Sequence, residues 1–226
     1  MKKIDILEDN VLNIFCDASI KHEDNQCTYG LPGSVAIDCN GNTIDYESTV
    51  MVDSTNNESE IYAILLATQQ CIKYQGYYSR INIFSDSRIS VCGVREWMFN
   101  WVKNARNDTL MSSSGTVANQ QIFLHVVNLI LTYLNSYHLY HVDGHMNPKN
   151  PKDMLKLIAD FKKFNGVYIN PSEAIYLSTY NNWVDGETGR ELELFNLYSL
   201  SRLNSGIIYP IPNRSQMDQF RSILDI

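Results

Sequence analysis

The sequence predicts an α/β fold, a mixed sheet with helices packed on it, followed by a mostly helical C-terminal extension. Three observations carry this. Residues 11–52 form a group of extended segments broken by an Asn-Gly turn, residues 58–165 alternate helical and extended patterns, and beyond residue 166 the apolar spacing changes style. A hairpin group followed by alternating helices and strands implies antiparallel and parallel pairing in one sheet.

Taken in order, residues 11–19 alternate toward a strand that ends in the polar Asp17-Ala18-Ser19. Residues 33–52 read as two strands joined at Cys39-Asn40-Gly41-Asn42, since Asn-Gly is a strong hairpin signal. In residues 58–75, Ile61, Ile64, Leu65 and Thr68 fall on one helical face, with Thr55 or Asn56 as the N-cap. Residues 80–86 are a short apolar strand ending at Asp86, and residues 87–106 an amphipathic helix bearing Arg88, Arg95, Lys103 and Arg106. A polar loop over 107–116, a helix over 117–135 and a strand over 137–142 follow. Pro151 opens the next helix and Gly166 stands just past its end. The extension reads as helical pieces with a turn at 184–189 (VDGETG), then a Pro-containing extended segment and a short final helix.

The 226 residues are 44% hydrophobic and 19% charged, which suits a folded core and excludes a disordered polymer. The longest apolar run, residues 61–67, is too short to span a bilayer, and the lysine-bearing N-terminus turns acidic without an apolar stretch. Five cysteines without a Cys-x-x-Cys pair predict reduced thiols, a cytoplasmic location and no structural zinc site. The net charge of −7 argues against a polyanionic partner, but its distribution is uneven. Residues 1–54 carry ten acids against three lysines, whereas residues 87–165 carry nine Lys/Arg against five acids. The middle of the chain can therefore face a polyanion.

Three carboxylates hold telling places. Asp17 ends the first strand, Asp86 ends the fourth, and Glu60 lies in the first turn of the helix between them. Ends of adjacent strands converge in an open sheet, and converging buried carboxylates are tolerated chiefly where a divalent cation offsets their repulsion. An all-oxygen set suits magnesium or manganese better than zinc. Each residue alone is equally consistent with a turn cap or a solvated helix face.

Four strings set these residues in a pattern: IFCDASI, STNNESEIYAILLA, FSDSRISVCGVREWMFNWVKN and HVDGHMNPKNPKDMLKL. In order and separation they resemble the ribonuclease H type 1 family over residues 11–164. The resemblance implies a five-stranded mixed sheet with helices on both faces, with residues 1–165 as the catalytic domain and 166–226 as an extension of unassigned role. It implies endonucleolytic cleavage of the RNA strand of an RNA–DNA hybrid with two Mg2+ or Mn2+ ions. Asp17, Glu60, Asp86 and one later aspartate would hold the metals, Glu60 would also meet the RNA 2′-hydroxyl, and His145 would assist product or metal release. Ser19, Asn56, Asn57, Arg88, Trp101 and Lys103 occupy positions that meet nucleic acid in the family.

The last motif departs from the family pattern. Gly144-His145 matches, but the expected aspartate ten residues on is replaced by Leu155. Asp153, at the start of its helix, is the preferred fourth carboxylate over Asp160, and a two-residue loop deletion explains the spacing. The shortened motif, the net acidity and the extension keep a second reading open: a catalytically weak module that binds nucleic acid or a protein partner, or self-associates through residues 166–226. Integrase-like and exonuclease-like chemistry fits less well, because exonuclease relatives open on Asp-x-Glu and this chain reads Asp17-Ala18-Ser19.

Overall fold

A computed structural model describes residues 3–23, 27–195 and 208–225. Strands β1 (Val11–Glu23), β2 (Cys27–Asp38), β3 (Thr43–Ser48) and the short β4 (Met51–Val52) precede helix α1 (Asn56–Tyr74) and strand β5 (Arg80–Ser85). Then come α2 (Arg88–Cys92), a π-helical turn at Gly93–Trp97, α3 (Met98–Lys103), and a small hairpin of β6 (Met111–Ser112) and β7 (Gly115–Thr116). Helix α4 (Gln120–Tyr133), strand β8 (His138–His141) and helices α5 (Pro151–Asn165), α6 (Pro171–Leu194) and α7 (Arg214–Leu224) complete the order. The sheet runs β3-β2-β1-β5-β8, with β4 also on β2. Strand β1 is antiparallel to β2 and parallel to β5, which is parallel to β8. This is the mixed sheet the sequence predicts, with helices on both faces.

Alternation along the central strands divides the core in two. Leu12, Ile14, Cys16 and Ile83 face α1, α4 and the α2–α3 segment, while Phe15, Val35 and Phe84 face α5 and α6. Asn13 points to the second face and is completely buried. Its amide donates to the Ile6 carbonyl (2.9 Å), and Asn82 donates to the Asn13 side chain (3.0 Å) and the Asp5 carbonyl (2.8 Å). These bonds satisfy polar groups that would otherwise be costly to bury, and they tie the N-terminal segment over the sheet.

The predicted helix over 87–106 is continuous but contains the π turn. A Cβ added at Gly93 would overlap the Phe123 ring, so this turn lies hard against α4. The largest difference from expectation lies in the extension. Residues 184–189, read as a turn from their two glycines, are helical and belong to the 24-residue α6. The helix starts from a capping box, with Asn170 accepting from the Glu173 amide and Glu173 accepting from the Asn170 amide, and with Pro171 in the first turn. Each glycine costs a helix about 1 kcal/mol relative to alanine. Burial of Tyr176, Leu177 and Val184 against Phe15 and Phe84 outweighs that cost. Farther along, Tyr46 (2.9 Å) and Ser48 (2.8 Å) of β3 both donate to Glu191.

Helix α7 closes the other face. Phe220 is fully buried with its ring 5.5 Å from that of Phe99, and the Tyr137 amide donates to the Ile223 carbonyl at 2.9 Å. The described parts of the extension thus pack on the sheet and on α4, and the rest of it, residues 196–207 and 226, lies outside the described residues. Among the described residues no helix is long and apolar enough to cross a membrane, and Cys16, Cys39, Cys71 and Cys92 are free thiols.

Truncating Phe220 tests whether α7 is integral to the core. Phe220→Ala is expected to cost about 3–5 kcal/mol, the scale of emptying a buried aromatic site. Urea unfolding measures this, and a change below about 1 kcal/mol would show that α7 adds little to the core.

Candidate active site

The parallel pairing of β1 with β5 ends where Cys16 lies beside Ser85, so Asp17 and Asp86 follow side by side. Asp86 stands just past the carboxyl end of β5 and Asp17 midway along β1, which does not end there as the sequence suggests but runs on to Glu23 paired with β2. In open α/β sheets this is where ligands bind. Glu60 comes to the same point from α1, whose start is fixed by Thr55: its hydroxyl accepts from the Glu58 amide, and Glu58 completes the capping box. One carboxylate oxygen from each of Asp17, Glu60 and Asp86 lies within 4.8 Å of the others.

The environment is hostile to charge. Asp17 and Glu60 are 5% and 9% exposed. The Asp17 carboxylate accepts from the Ala18 amide at 2.8 Å, and Glu60 Oε2 is buried with no hydrogen-bond partner among the described residues. Burial, and after it the Asp86 charge, raises Asp17 to about 8. Burial and the charges of Asp17 and Asp86 raise Glu60 to about 9. Asp86 is raised by burial, with Asn181 acting in the opposite sense through its amide, which donates to Asp86 at 3.3 Å. Beneath them, burial followed by the charges of Glu60 and Asp17 keeps the Cys16 thiol well above its ordinary range, unsuited to act as a thiolate.

Helix α6 supplies the fourth side of the site. Asp185 raises Asp17 by its charge and by a side-chain hydrogen bond, and its charge also raises Glu60 and Asp86, so it lies near the cluster but outside the three oxygens that fall within 4.8 Å of one another. One turn earlier lies Asn181, almost fully buried, with its Oδ1 unpartnered. Near the next turn, Thr188 exchanges a hydrogen bond of 3.0 Å with Ser19. Neither Asp185 nor Asn181 stood out in the sequence. The readable signal was Asn181, Asp185 and Thr188 at spacings of four and three, after a capping box at Asn170-Pro171-Ser172-Glu173. The two glycines masked it by suggesting a turn.

The Gly-His loop meets the site as the sequence suggests, though not through the predicted aspartate. A Cβ at Gly144 would overlap the Asp86 carboxylate, so only glycine permits the approach. His145 follows at φ 55°, with its side chain 80% exposed and its Nδ1 3.4 Å from Asp185 Oδ2. Asp153 stands apart from the cluster: its Oδ2 accepts from the Asn147 amide at 3.1 Å, bracing the loop at the start of α5. Asp160 pairs with Lys156 at 3.6 Å, and Lys156 also reaches Asp143 at 3.4 Å. Helix α5 is thus spent on these contacts, and the acid beside the cluster comes from α6. His141, read as a strand residue, is one, with its Nε2 3.1 Å from the Asp86 carbonyl.

The remaining nucleic-acid positions divide. Asn56 and Asn57 are exposed in the first turn of α1, just ahead of Glu60, and Ser19 lies two residues beyond Asp17. Arg88 is exposed at the start of α2 with its guanidinium 5.3 Å from the centre of the Phe164 ring, and Lys103 is exposed at the end of α3. Trp101, expected to meet nucleic acid, is a core residue: it is 9% exposed and stands edge-on to Phe123 at 5.1 Å. Its neighbour Trp97 is the more exposed ring of the pair.

A family model described as RNase H matches residues 9–154 of the chain. No curated protein matches it. Among solved structures, the foamy viral protease-reverse transcriptase in complex with RNA/DNA hybrid is similar at TM-score 0.53 and 15% identity, over 80% of this chain and 21% of that chain. The foamy viral protease-reverse transcriptase in complex with dsDNA gives 0.52 and 15%, over 80% and 98% of the two chains. The solution structure of the PFV RNase H domain gives 0.51 and 14%, over 76% and 94%. The chain spans about a fifth of the length of the first of these proteins, and the likeness to all three is one of fold.

The raised carboxylates set a pH dependence. The unfolded chain ionises these groups in the ordinary range near pH 4, whereas the native protein keeps protons on Asp17 and Glu60 up to about 8 and 9. The native state therefore binds more protons across that window, and stability is lost as pH rises through it. Metal-free protein is expected to melt at progressively lower temperature from pH 5 to pH 9, with the slope reduced in Asp17→Asn. A melting temperature flat across that range in both proteins would contradict the assignment.

Proposed function

The chain belongs to the RNase H family, and from that membership we propose that it hydrolyses the RNA strand of RNA–DNA hybrids with divalent cations held by Asp17, Glu60, Asp86 and Asp185. The observation that carries the proposal is the buried convergence of Asp17, Glu60 and Asp86 within 4.8 Å, with no lysine or arginine paired to any of them among the described residues. Such a cluster suits a hard cation with oxygen ligands, magnesium or manganese. When bound, the cations would activate a water and stabilise the departing oxygen of an in-line displacement.

The protein's own groups divide the remaining work. Asp17, Glu60 and Asp86 would hold the cations together, and Asn181 holds Asp86 in place by its 3.3 Å hydrogen bond. The unpartnered Glu60 Oε2 is free to take a cation or to accept from a 2′-hydroxyl, the group that distinguishes RNA from DNA. Asp185 closes the cluster from α6, and the exposed His145 beside it is placed to exchange protons with solvent as product leaves. The exposed Asn56 and Asn57 and the part-buried Ser19 would meet the duplex near the carboxylates, and Arg88 and Lys103 offer phosphate contacts without sequence preference. Trp101 serves by packing α3 against α4. The rival reading of a binding module without turnover drew on the displaced fourth aspartate, and Asp185 beside the other three supports turnover instead.

Purified protein with magnesium or manganese is expected to cut a labelled RNA–DNA hybrid and spare the matching DNA duplex. Asp17→Asn and Asp86→Asn should abolish cleavage. Asp185→Asn should lower it by about two orders of magnitude or more, the scale of losing a charge-stabilising group, while Asp153→Asn retains most of it. Equal losses in the last two variants would remove Asp185 from the site. Asn181→Leu is expected to weaken Mn2+ binding by about 10–100-fold in calorimetry, as loss of a group that orients a ligand does; unchanged binding would make its contact with Asp86 incidental.

A further inference from the structure

The active site leaves α7 without a role beyond packing. Between α3 and the segment leading into α7 lies a cavity of about 680 Å³, with Phe99, Ile211 and Met217 among its apolar lining and Lys103, Arg214 and Arg221 at its charged edge. A second hollow of about 540 Å³ continues from the same Lys103 to Arg106, past Asn104, Ser112 and Ser113. The two hollows have Lys103 in common, and together their borders make an α3–α7 track. Four cations border it against a single acid, Asp218, in a chain whose net charge is −7.

These cations are held open. Lys103, Arg106, Arg214 and Arg221 are all exposed, and none is in an ion pair among the described residues. Elsewhere Lys73, Lys156 and Arg190 each pair with neighbouring carboxylates. The Arg221 guanidinium lies 4.6 Å from the centre of the Phe99 ring. Stacking of this kind holds the plane of the group while leaving its N–H edge open to an oxyanion. A row of unpaired cations, interspersed with neutral amide and hydroxyl donors, is the chemistry that meets consecutive phosphodiesters.

We propose that the α3–α7 track binds the phosphodiester backbone of the hybrid away from the scissile bond, with Arg214 and Arg221 as contacts supplied by the C-terminal helix. The inference rests on the hybrid as the substrate, takes in the Lys103 phosphate contact already proposed, and adds to it the two arginines of α7. Its binding is electrostatic and independent of sequence, so it falls steeply with salt.

Fluorescence anisotropy of the full chain with a labelled, non-cleavable hybrid of DNA and 2′-O-methyl RNA tests this, repeated across salt concentrations. The double variant Arg214→Gln/Arg221→Gln is expected to bind roughly tenfold more weakly at low salt. Its slope of log affinity against log salt should be shallower by about 0.9 for each phosphate that is no longer neutralised. Lys103→Gln should lower both in the same sense. Because Arg221 also covers Phe99, circular dichroism and melting accompany each variant, and Arg214→Gln alone decides the matter if the double variant is unstable. Wild-type affinity and slope in a folded Arg214→Gln protein and in Lys103→Gln would overturn the proposal. Wild-type protein that binds but does not cut a natural hybrid would instead remove the nuclease reading and leave the binding measurements to decide the track.

Discussion

Mutual repulsion among buried carboxylates is the constraint around which this molecule is arranged. Asp17, Glu60 and Asp86 would separate or take up water if their backbones were free to move, and each is fixed by a different device. Strand pairing fixes Asp17 and sets Asp86 directly after β5, and a capping box fixes the start of the helix that carries Glu60. The work of holding them falls to the two apolar layers, which bury Leu12, Ile14 and Ile83 on one face and Phe15 and Phe84 on the other. A site built this way is least stable when empty and fully ionised, and a cation relieves the strain that the fold imposes.

Helix α6 joins stability to chemistry. One side packs Tyr176, Leu177 and Val184 into the second apolar layer, Glu191 receives hydrogen bonds from β3, and Asn181, Asp185 and Thr188 turn toward the end of the β1–β5 pairing. Thr188 packs so close to Gly33 of β2 that a Cβ there would lie 2.7 Å from its methyl carbon. The helix therefore sits at short range over the hairpin of β1 and β2, and the position of Asp185 follows from that packing. A side chain at residue 33 would reach the active site indirectly, by lifting the helix that carries the acid.

Much of this was legible in the sequence because local rules and the fold agree there. The Asn-Gly hairpin, the Thr55 cap, the alternation in β1 and the Pro151–Gly166 limits of α5 all express backbone preferences that the structure keeps. Asp17, Glu60 and Asp86 could be found because the end of the β1–β5 pairing and the start of α1 are places that topology brings together. Asp185 could not be found in the same way. Its helix runs through Gly186 and Gly189, whose local preference is for a turn, and only tertiary burial overrides it. Asp153 has the local setting the sequence suggests, at a helix start, and there its Oδ2 accepts from the Asn147 amide. Trp101 shows the same limit, since an aromatic residue on a basic helix has one spelling whether it faces a ligand or the core.

The wide separation of Asp185 from its partners orders the assembly of the site in time. Strand β1, helix α1 and strand β5 follow one another in the chain, so Asp17, Glu60 and Asp86 are gathered by connections of modest length. Asp185 must close a far longer loop, and the entropy of that closure places α6 docking late. Until it docks, Phe15 and Phe84 lack the cover that α6 and its Tyr176 provide. A chain with α6 undocked would present the three carboxylates and an open apolar face together. Cation binding to the first three acids would then act as a folding ligand, holding the sheet's end in order while the last helix arrives.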